Sequence, residues 1–233
     1  MNIKDLIFKI ENISLPKALE YIEQNALKKN SKTFIVTINP ELVMLARGDG
    51  EYEKVLKSAD LALCDGVGIV LAGKIFGRKF DRRIHGVDLL EKVAEAISGK
   101  PITMGLVGGR KNVAQHASEC LKKKYPSLKI SFAVEEFESA KNLSCDILFV
   151  AFGSPKQEKW IFKNLPKIDA KVAIGVGGAF DFVSGNVKRA PVWMRRLGLE
   201  WLFRLINEPW RWRRQTALIR FVFLVIGEKL SGK

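Results

Sequence analysis

One carboxylate, Asp65, follows an apolar run directly and precedes two glycines, in Cys64-Asp65-Gly66-Val67-Gly68. A carboxylate at a strand end can take a proton from a hydroxyl nucleophile, and glycines let a ligand approach the backbone. The same residue can also cap the helix that follows. Thr37 and Asn39, in Thr37-Ile38-Asn39-Pro40, occupy an equivalent place. Pro40 suits the first turn of a helix, Asn39 can be its cap, and both polar side chains would stand at the mouth of a cleft. In Arg82-Arg83-Ile84-His85-Gly86-Val87-Asp88 a basic loop runs into a helix start, where Arg83 can hold a phosphate oxygen with help from unpaired N–H groups. Pairing with Asp81 or Asp88 is the alternative. His85 has no second histidine or cysteine at ligand spacing, so it is read as a local hydrogen-bonding residue rather than a metal ligand.

Three glycine-rich turns complete the set. They are Gly108-Gly109-Arg110, Gly153-Ser154-Pro155-Lys156-Gln157-Glu158 and Gly175-Val176-Gly177-Gly178-Ala179-Phe180-Asp181. Turns of this kind beside Lys156 can cradle a diphosphate, and Gln157 or Asp181 can hydrogen-bond a base or a sugar hydroxyl. Each turn alone is also ordinary chain reversal. Neither G-x-G-x-x-G nor G-x-x-x-x-G-K-[ST] occurs, which removes the main support for a dinucleotide or Walker-type site and for an NAD-dependent oxidoreductase. D-x-D is absent too, so no metal is expected, and cations with backbone amides would stabilise a departing diphosphate.

The elements that must position these residues are legible as apolar runs at 34–36, 61–63, 102–107, 147–152 and 172–176. Continuous rather than alternating runs mark strands buried on both faces of a parallel sheet. Between them lie helical stripes, the clearest placing Val87, Leu90, Ala94 and Ile97 on one face and Glu91, Lys92 and Glu95 on the other. The expectation is an α/β fold: an open, doubly wound, mostly parallel sheet in two Rossmann-like lobes, about 1–98 and 101–190, forming one core over 1–190. Ligands of such sheets bind beyond the carboxyl ends of the strands, which is where the residues above stand.

The last 43 residues, 191–233, differ from the rest. They carry nine basic side chains against three acidic ones and four of the five tryptophans, in a chain of 233 residues whose net charge is +14. Arg204, Trp210, Arg211, Trp212, Arg213 and Arg214 interleave indoles with guanidiniums. Such a mixture suits a membrane interface with anionic lipid, a packing or oligomer contact with a basic rim, or single-stranded nucleic acid. The longest apolar stretch, 217–226, is interrupted by Arg220 and is shorter than the about 20 residues that a spanning helix needs. Three cysteines far apart suggest neither disulfides nor zinc, and the N-terminus has no apolar leader, so a reducing cytoplasmic setting is expected.

Taken in order, these segments resemble the WecG/TagA/CpsF family of bacterial glycosyltransferases over nearly the whole chain. The resemblance is carried by Thr37-Ile38-Asn39-Pro40-Glu41, Asp65-Gly66-Val67-Gly68, Arg83 with Gly86 and Asp88, Gly153-x-Pro155-Lys156-Gln157-Glu158 and Gly175-Val176-Gly177-Gly178-x-Phe180-Asp181. It continues through Arg189-Ala190-Pro191 and Leu199-Glu200-Trp201 to Arg204-Leu205 and Glu208-Pro209, without departure at these positions. It is strongest to the members that build the wall teichoic acid linkage unit. It implies inverting, metal-independent transfer of N-acetylmannosamine from UDP-ManNAc to the 4-hydroxyl of GlcNAc on undecaprenyl diphosphate, peripherally on the inner face of the plasma membrane. It further implies Asp65 as base, Thr37 and Asn39 on sugar or acceptor hydroxyls, and Arg83 on a phosphate. Gly108, Gly109, Gly153, Lys156, Gln157, Gly177, Gly178 and Asp181 would surround UDP. The C-terminal appendage, with its arginines on the lipid diphosphate or the bilayer, would close the site. Other members use UDP-ManNAc uronic acid or another UDP-hexose, which stands as the alternative donor. A nucleic-acid-binding module would leave the strand-end cluster unexplained, so no nucleic acid partner is expected. A homo-oligomer hiding the apolar C-terminal surface until it docks is a further expectation.

Overall fold

The computed structural model describes residues 2–136, 144–209 and 212–231, without the side chains of residues 213–215. Helices α1 (Ile3–Lys9) and α2 (Leu15–Leu27) lead into β1 (Thr33–Ile38), followed by α3 (Pro40–Gly48), α4 (Gly50–Lys57), β2 (Leu61–Cys64), α5 (Val67–Ile75) and α6 (Gly86–Ile97). Then come β3 (Thr103–Gly108), α7 (Val113–Lys124), β4 (Lys129–Val134), β5 (Cys145–Ala151), α8 (Lys156–Asn164), β6 (Ala170–Gly175) and the short α9 (Ala179–Val183). Helices α10 (Val192–Leu197), α11 (Glu200–Asn207) and α12 (Trp212–Leu230) follow.

The six strands form one sheet in the order β2-β1-β6-β5-β3-β4, every pairing parallel. The two halves of the chain share this sheet, because β6 pairs with both β1 and β5. Every residue of β1 and β2 is buried, as continuous apolar strands between two helical layers require. Alternate residues serve opposite faces. Phe34, Val36 and Ile38 join the core that takes Leu42, Tyr52 and Ile69 from α3, α4 and α5, whereas Ile35 joins the one that takes Leu90 and Ala117 from α6 and α7. The stripe expected on α6 is buried at Val87, Leu90, Ala94 and Ile97. Strand β4 has no counterpart among the apolar runs of the sequence. It lies at the sheet edge, with Lys129 and Ser131 exposed, and its residues alternate instead of forming an unbroken apolar stretch.

The last three helices pack differently. Neither α10 nor α11 has a fully buried residue. Helix α12 sends Phe221 and Val225 into the core that α3 and α5 line. Its Glu228 carboxylate accepts from the Ile3 N–H at the start of α1 (3.0 and 3.1 Å), where a helix has unpaired donors. No helix among the described residues is long and apolar enough to cross a membrane.

Candidate active site

The carboxyl ends of β1, β2, β5 and β6 open into one cleft, lined by Thr37, Asn39, Asp65, Arg83 and His85, and by Gly153, Gln157, Gly177 and Gly178 from the glycine-rich turns. Its far wall is the appendage, through Arg195, Gly198, Glu200, Trp201, Arg204 and Leu218. Asp65 is set by backbone on both sides: its N–H donates to the Ile38 carbonyl (2.9 Å), and the Ile84 N–H donates to the Cys64 carbonyl (2.8 Å). Gly68 is required next to it, since a Cβ there would lie 2.5 Å from Pro40 Cγ and push α5 off α3. Cys64 is no nucleophile: burial, with the Asp65 charge beside it, pushes its thiol up to about 12.

Asp65 Oδ1 lies 2.5 Å from His85 Nδ1. Burial disfavours the imidazolium, but the Asp65 carboxylate, with Glu200 and Asp88 behind it, outweighs that cost and holds the His85 pKa above its ordinary 6.5. The local hydrogen-bonding role read for His85 therefore has a specific partner.

Asn39 does what its position before Pro40 allows: its Oδ1 caps α3 by accepting from the Leu42 N–H at 3.1 Å. Thr37 is buried at the cleft floor. Arg83 lines the cleft, and its Nη2 donates to the carbonyls of Arg195 (3.1 Å) and Arg196 (2.9 Å) at the end of α10. Gly198, at φ +77°, makes that approach possible; a Cβ there would lie 2.6 Å from Arg83 Nη1.

Gln157 lines the cleft and links two of its turns. It is 3% exposed, and its Oε1 accepts from Gly153 N–H (3.1 Å) and Gly177 N–H (2.9 Å), so it ties the two turns together. Those two N–H groups are correspondingly occupied. Its Nε2 donates to Glu158 (2.7 Å), a fully buried carboxylate that also accepts from Ser154 Oγ (2.7 Å) and Tyr52 Oη (3.0 Å). Burial raises the Glu158 pKa, and burial together with the Glu158 charge raises that of Tyr52. Gly178 lines the cleft beside Arg204 Nη2.

Four expected residues stand off the cleft wall. Gly108 and Gly109 close the β3 turn against β5, where the Gly109 N–H donates to the Ala151 carbonyl at 3.0 Å. The Lys156 ammonium lies over the Phe152 ring, 5.2 Å from its centroid, and Asp181 is in the first turn of α9. Of the C-terminal set, Arg204 is a cleft residue, packed on the Phe182 ring at 4.8 Å and paired with Glu208 at 3.4 Å. Trp212 is exposed. Trp210 and Arg211, and the side chains of Arg213 and Arg214, lie outside the described residues.

A clamp that the sequence reading did not assemble holds the appendage on the core. Arg189 binds Asp88 with two hydrogen bonds (2.6 and 2.7 Å) and reaches Glu200 on α11 at 3.4 Å. All three residues stood in the quoted motifs, but nothing in the spacing of 88, 189 and 200 says that they meet.

The comparisons with known proteins decide the family. The profile described as the Glycosyl transferase WecG/TagA/CpsF family matches residues 3–233. This chain belongs to that family. A Bacillus subtilis (strain 168) relative named N-acetylglucosaminyldiphosphoundecaprenol N-acetyl-beta-D-mannosaminyltransferase is 34% identical over 230 residues, 95% of this chain and 90% of its own. Relatives of the same name from Bacillus spizizenii (36% identical; 94% and 89% covered) and Staphylococcus aureus (strain MRSA252) (31%; 89% and 85%) are similar over 228 and 218 residues. The family match therefore takes in the cleft and the appendage that roofs it.

Proposed function

We propose that this WecG/TagA/CpsF-family protein is an inverting transferase that moves N-acetylmannosamine from UDP-ManNAc to the 4-hydroxyl of GlcNAc on undecaprenyl diphosphate, the linkage unit of wall teichoic acid. The reading is carried by one observation: a strand-end carboxylate, Asp65, lines a cleft to which the appendage brings Arg195 and Arg204, in a chain similar throughout to transferases named for this acceptor.

In the transfer, the acceptor oxygen bonds to the anomeric carbon as Asp65 takes its proton, and the bond to the diphosphate breaks on the opposite face with its electron pair leaving on UDP. Arg204 and Arg195, both lining the cleft, would meet that charge. Arg83 acts on the reaction by fixing α10. Thr37 is placed for a sugar hydroxyl. No metal takes part in this scheme.

The lipid acceptor asks for a protein that works at a membrane surface, and α12 has the face for it. Ile219, Val222, Phe223, Ile226 and Leu230 are exposed at helical spacing on the side away from Phe221 and Val225, with Arg220 and Lys229 exposed as well. The protein would sit on the cytoplasmic face of the plasma membrane through this helix.

The test is UDP release with a short-chain GlcNAc-diphosphate-lipid acceptor in EDTA, offering UDP-ManNAc, UDP-ManNAc uronic acid and UDP-GlcNAc in turn. Turnover with UDP-ManNAc alone is the expected result. Turnover only with another donor would replace the donor, and loss of activity in EDTA that returns with a divalent cation would overturn metal independence.

A further inference from the structure

The Asp65–His85 contact has a chemistry of its own. At 2.5 Å two bare lone pairs would repel, so a proton lies between Nδ1 and Oδ1, and for Asp65 to act as a base it must be carried by Nδ1. The loop that brings His85 there is pinned by backbone. Ile84 N–H donates to the end of β2, and the His85 carbonyl accepts from the Leu89 N–H (2.9 Å), which starts α6 and sets the ring opposite Asp65. Only one oxygen of Asp65 is used in this way.

We propose that His85 is the positioning partner of Asp65: its Nδ1–H holds Oδ1 and leaves Oδ2 for the acceptor proton, and the transfer proceeds only while the imidazole is neutral. This rests on Asp65 being the base. A neutral imidazole donates one hydrogen bond and leaves the carboxylate its full charge. An imidazolium forms an ion pair, and the carboxylate then holds a further proton too weakly to draw it from a hydroxyl. The proton taken by Oδ2 passes to water after UDP departs, so the pair returns to its starting state.

The groups facing His85 decide where it titrates. Asp65 comes from the end of β2, Asp88 from its own helix and Glu200 from α11, and all three favour the charged ring. Against them stand Arg189, bound to Asp88 and Glu200, and Arg195, 3.8 Å from Asp88 on α10. Arg83 precedes it in the loop, and Glu41 and Arg204 line the same cleft. The balance holds the ring charged beyond the ordinary histidine range, which puts the acid limb of activity above pH 6.5.

The experiment follows UDP release from about pH 5 to about pH 9 for wild type, His85→Asn, His85→Ala and Asp65→Asn, with melting temperatures for each. Asn places an N–H where Nδ1 stood but does not titrate. His85→Asn should keep most of the turnover at neutral pH, and its acid limb should move down by roughly one unit or more toward the carboxylate range. His85→Ala should lose about 10²-fold in kcat, the scale of a misplaced catalytic group, with KM for the UDP-sugar little changed. Wild-type turnover in His85→Ala, or an unmoved acid limb in His85→Asn, would overturn the proposal. His85→Asn as inactive as Asp65→Asn would also overturn it, by making the imidazole itself the base. Should His85→Ala melt early, the His85→Asn profile decides alone. An active Asp65→Asn would instead sink the assignment of the base on which this inference stands.

Discussion

Around the floor of the cleft, the ends of β1, β2 and β6 are locked by backbone hydrogen bonds and by Gln157, whose amide closes two turns at once, above strands with almost no exposed residue. The roof, α10 to α12, has two fully buried apolar anchors, Phe221 and Val225, and is otherwise tied by polar contacts, among them Glu228 at the start of α1, the Arg189 clamp and the Arg83 contacts with α10. The floor holds its geometry through burial, so it persists in any state in which the sheet exists. The roof is held by a small number of separable contacts, the pattern of a segment that opens at lower free energy than the fold as a whole. Because roof residues supply Arg195, Glu200 and Arg204 to the cleft, a complete site depends on the weaker of the two regions.

Removing the largest apolar anchor should separate the regions most strongly. Phe221→Ala deletes a ring that is 1% exposed, a change that costs about 3–5 kcal/mol in a packed core. The loss should fall on docking of α12: limited proteolysis should begin between the core and α12 while the sheet keeps its far-ultraviolet signature, and turnover should drop with it. Simultaneous melting of sheet and helix would show that the two are one cooperative unit.

The clamp comes next in size. Arg189→Ala leaves two carboxylates without their donor, for a cost of about 1–3 kcal/mol, read as earlier cleavage of the appendage and a lower melting temperature. The same contact gives a pH dependence of known sign. Burial pushes the Asp88 pKa up, but the Arg189 hydrogen bonds and charge bring it below its ordinary 3.8, so the Asp88 contribution is present above that value and lost as pH falls through the folded pKa. His85 runs oppositely, its pKa being raised above 6.5: its contribution is complete below 6.5 and lost as pH rises through the folded pKa. Wild-type stability should therefore weaken toward both limits, and Arg189→Ala should flatten the acid side. An unchanged acid side in the variant would mean that the clamp holds nothing.

Much of the floor could be read before the structure, and little of the roof. Five of the six strands announce themselves because burial on both faces leaves only apolar residues, and Thr37, Asn39 and Asp65 could be singled out because polar residues at the ends of such strands face the ligand side. What stayed hidden was long-range pairing. Strand β6 lies between β1 and β5, Gln157 reaches the Gly177 turn 20 residues further on, and Tyr52 meets Glu158 at a separation of 106 residues. Asp88, Arg189 and Glu200 looked like isolated motif members for the same reason. Asn39 shows the converse case, where the plain reading, a helix cap, is met by Oδ1 of a side chain that also lines the cleft.

The most direct test of the central claim, that Asp65 draws the proton from the acceptor, is single-turnover UDP release by Asp65→Asn beside wild type, with UDP-ManNAc binding measured on the same samples. The substitution keeps the shape of the side chain and removes its basicity. The account predicts a fall of about 10³-fold in turnover, within the range that a positioned base contributes, with donor binding and melting temperature close to wild type. Turnover near the wild-type rate, with the fold intact, would contradict it.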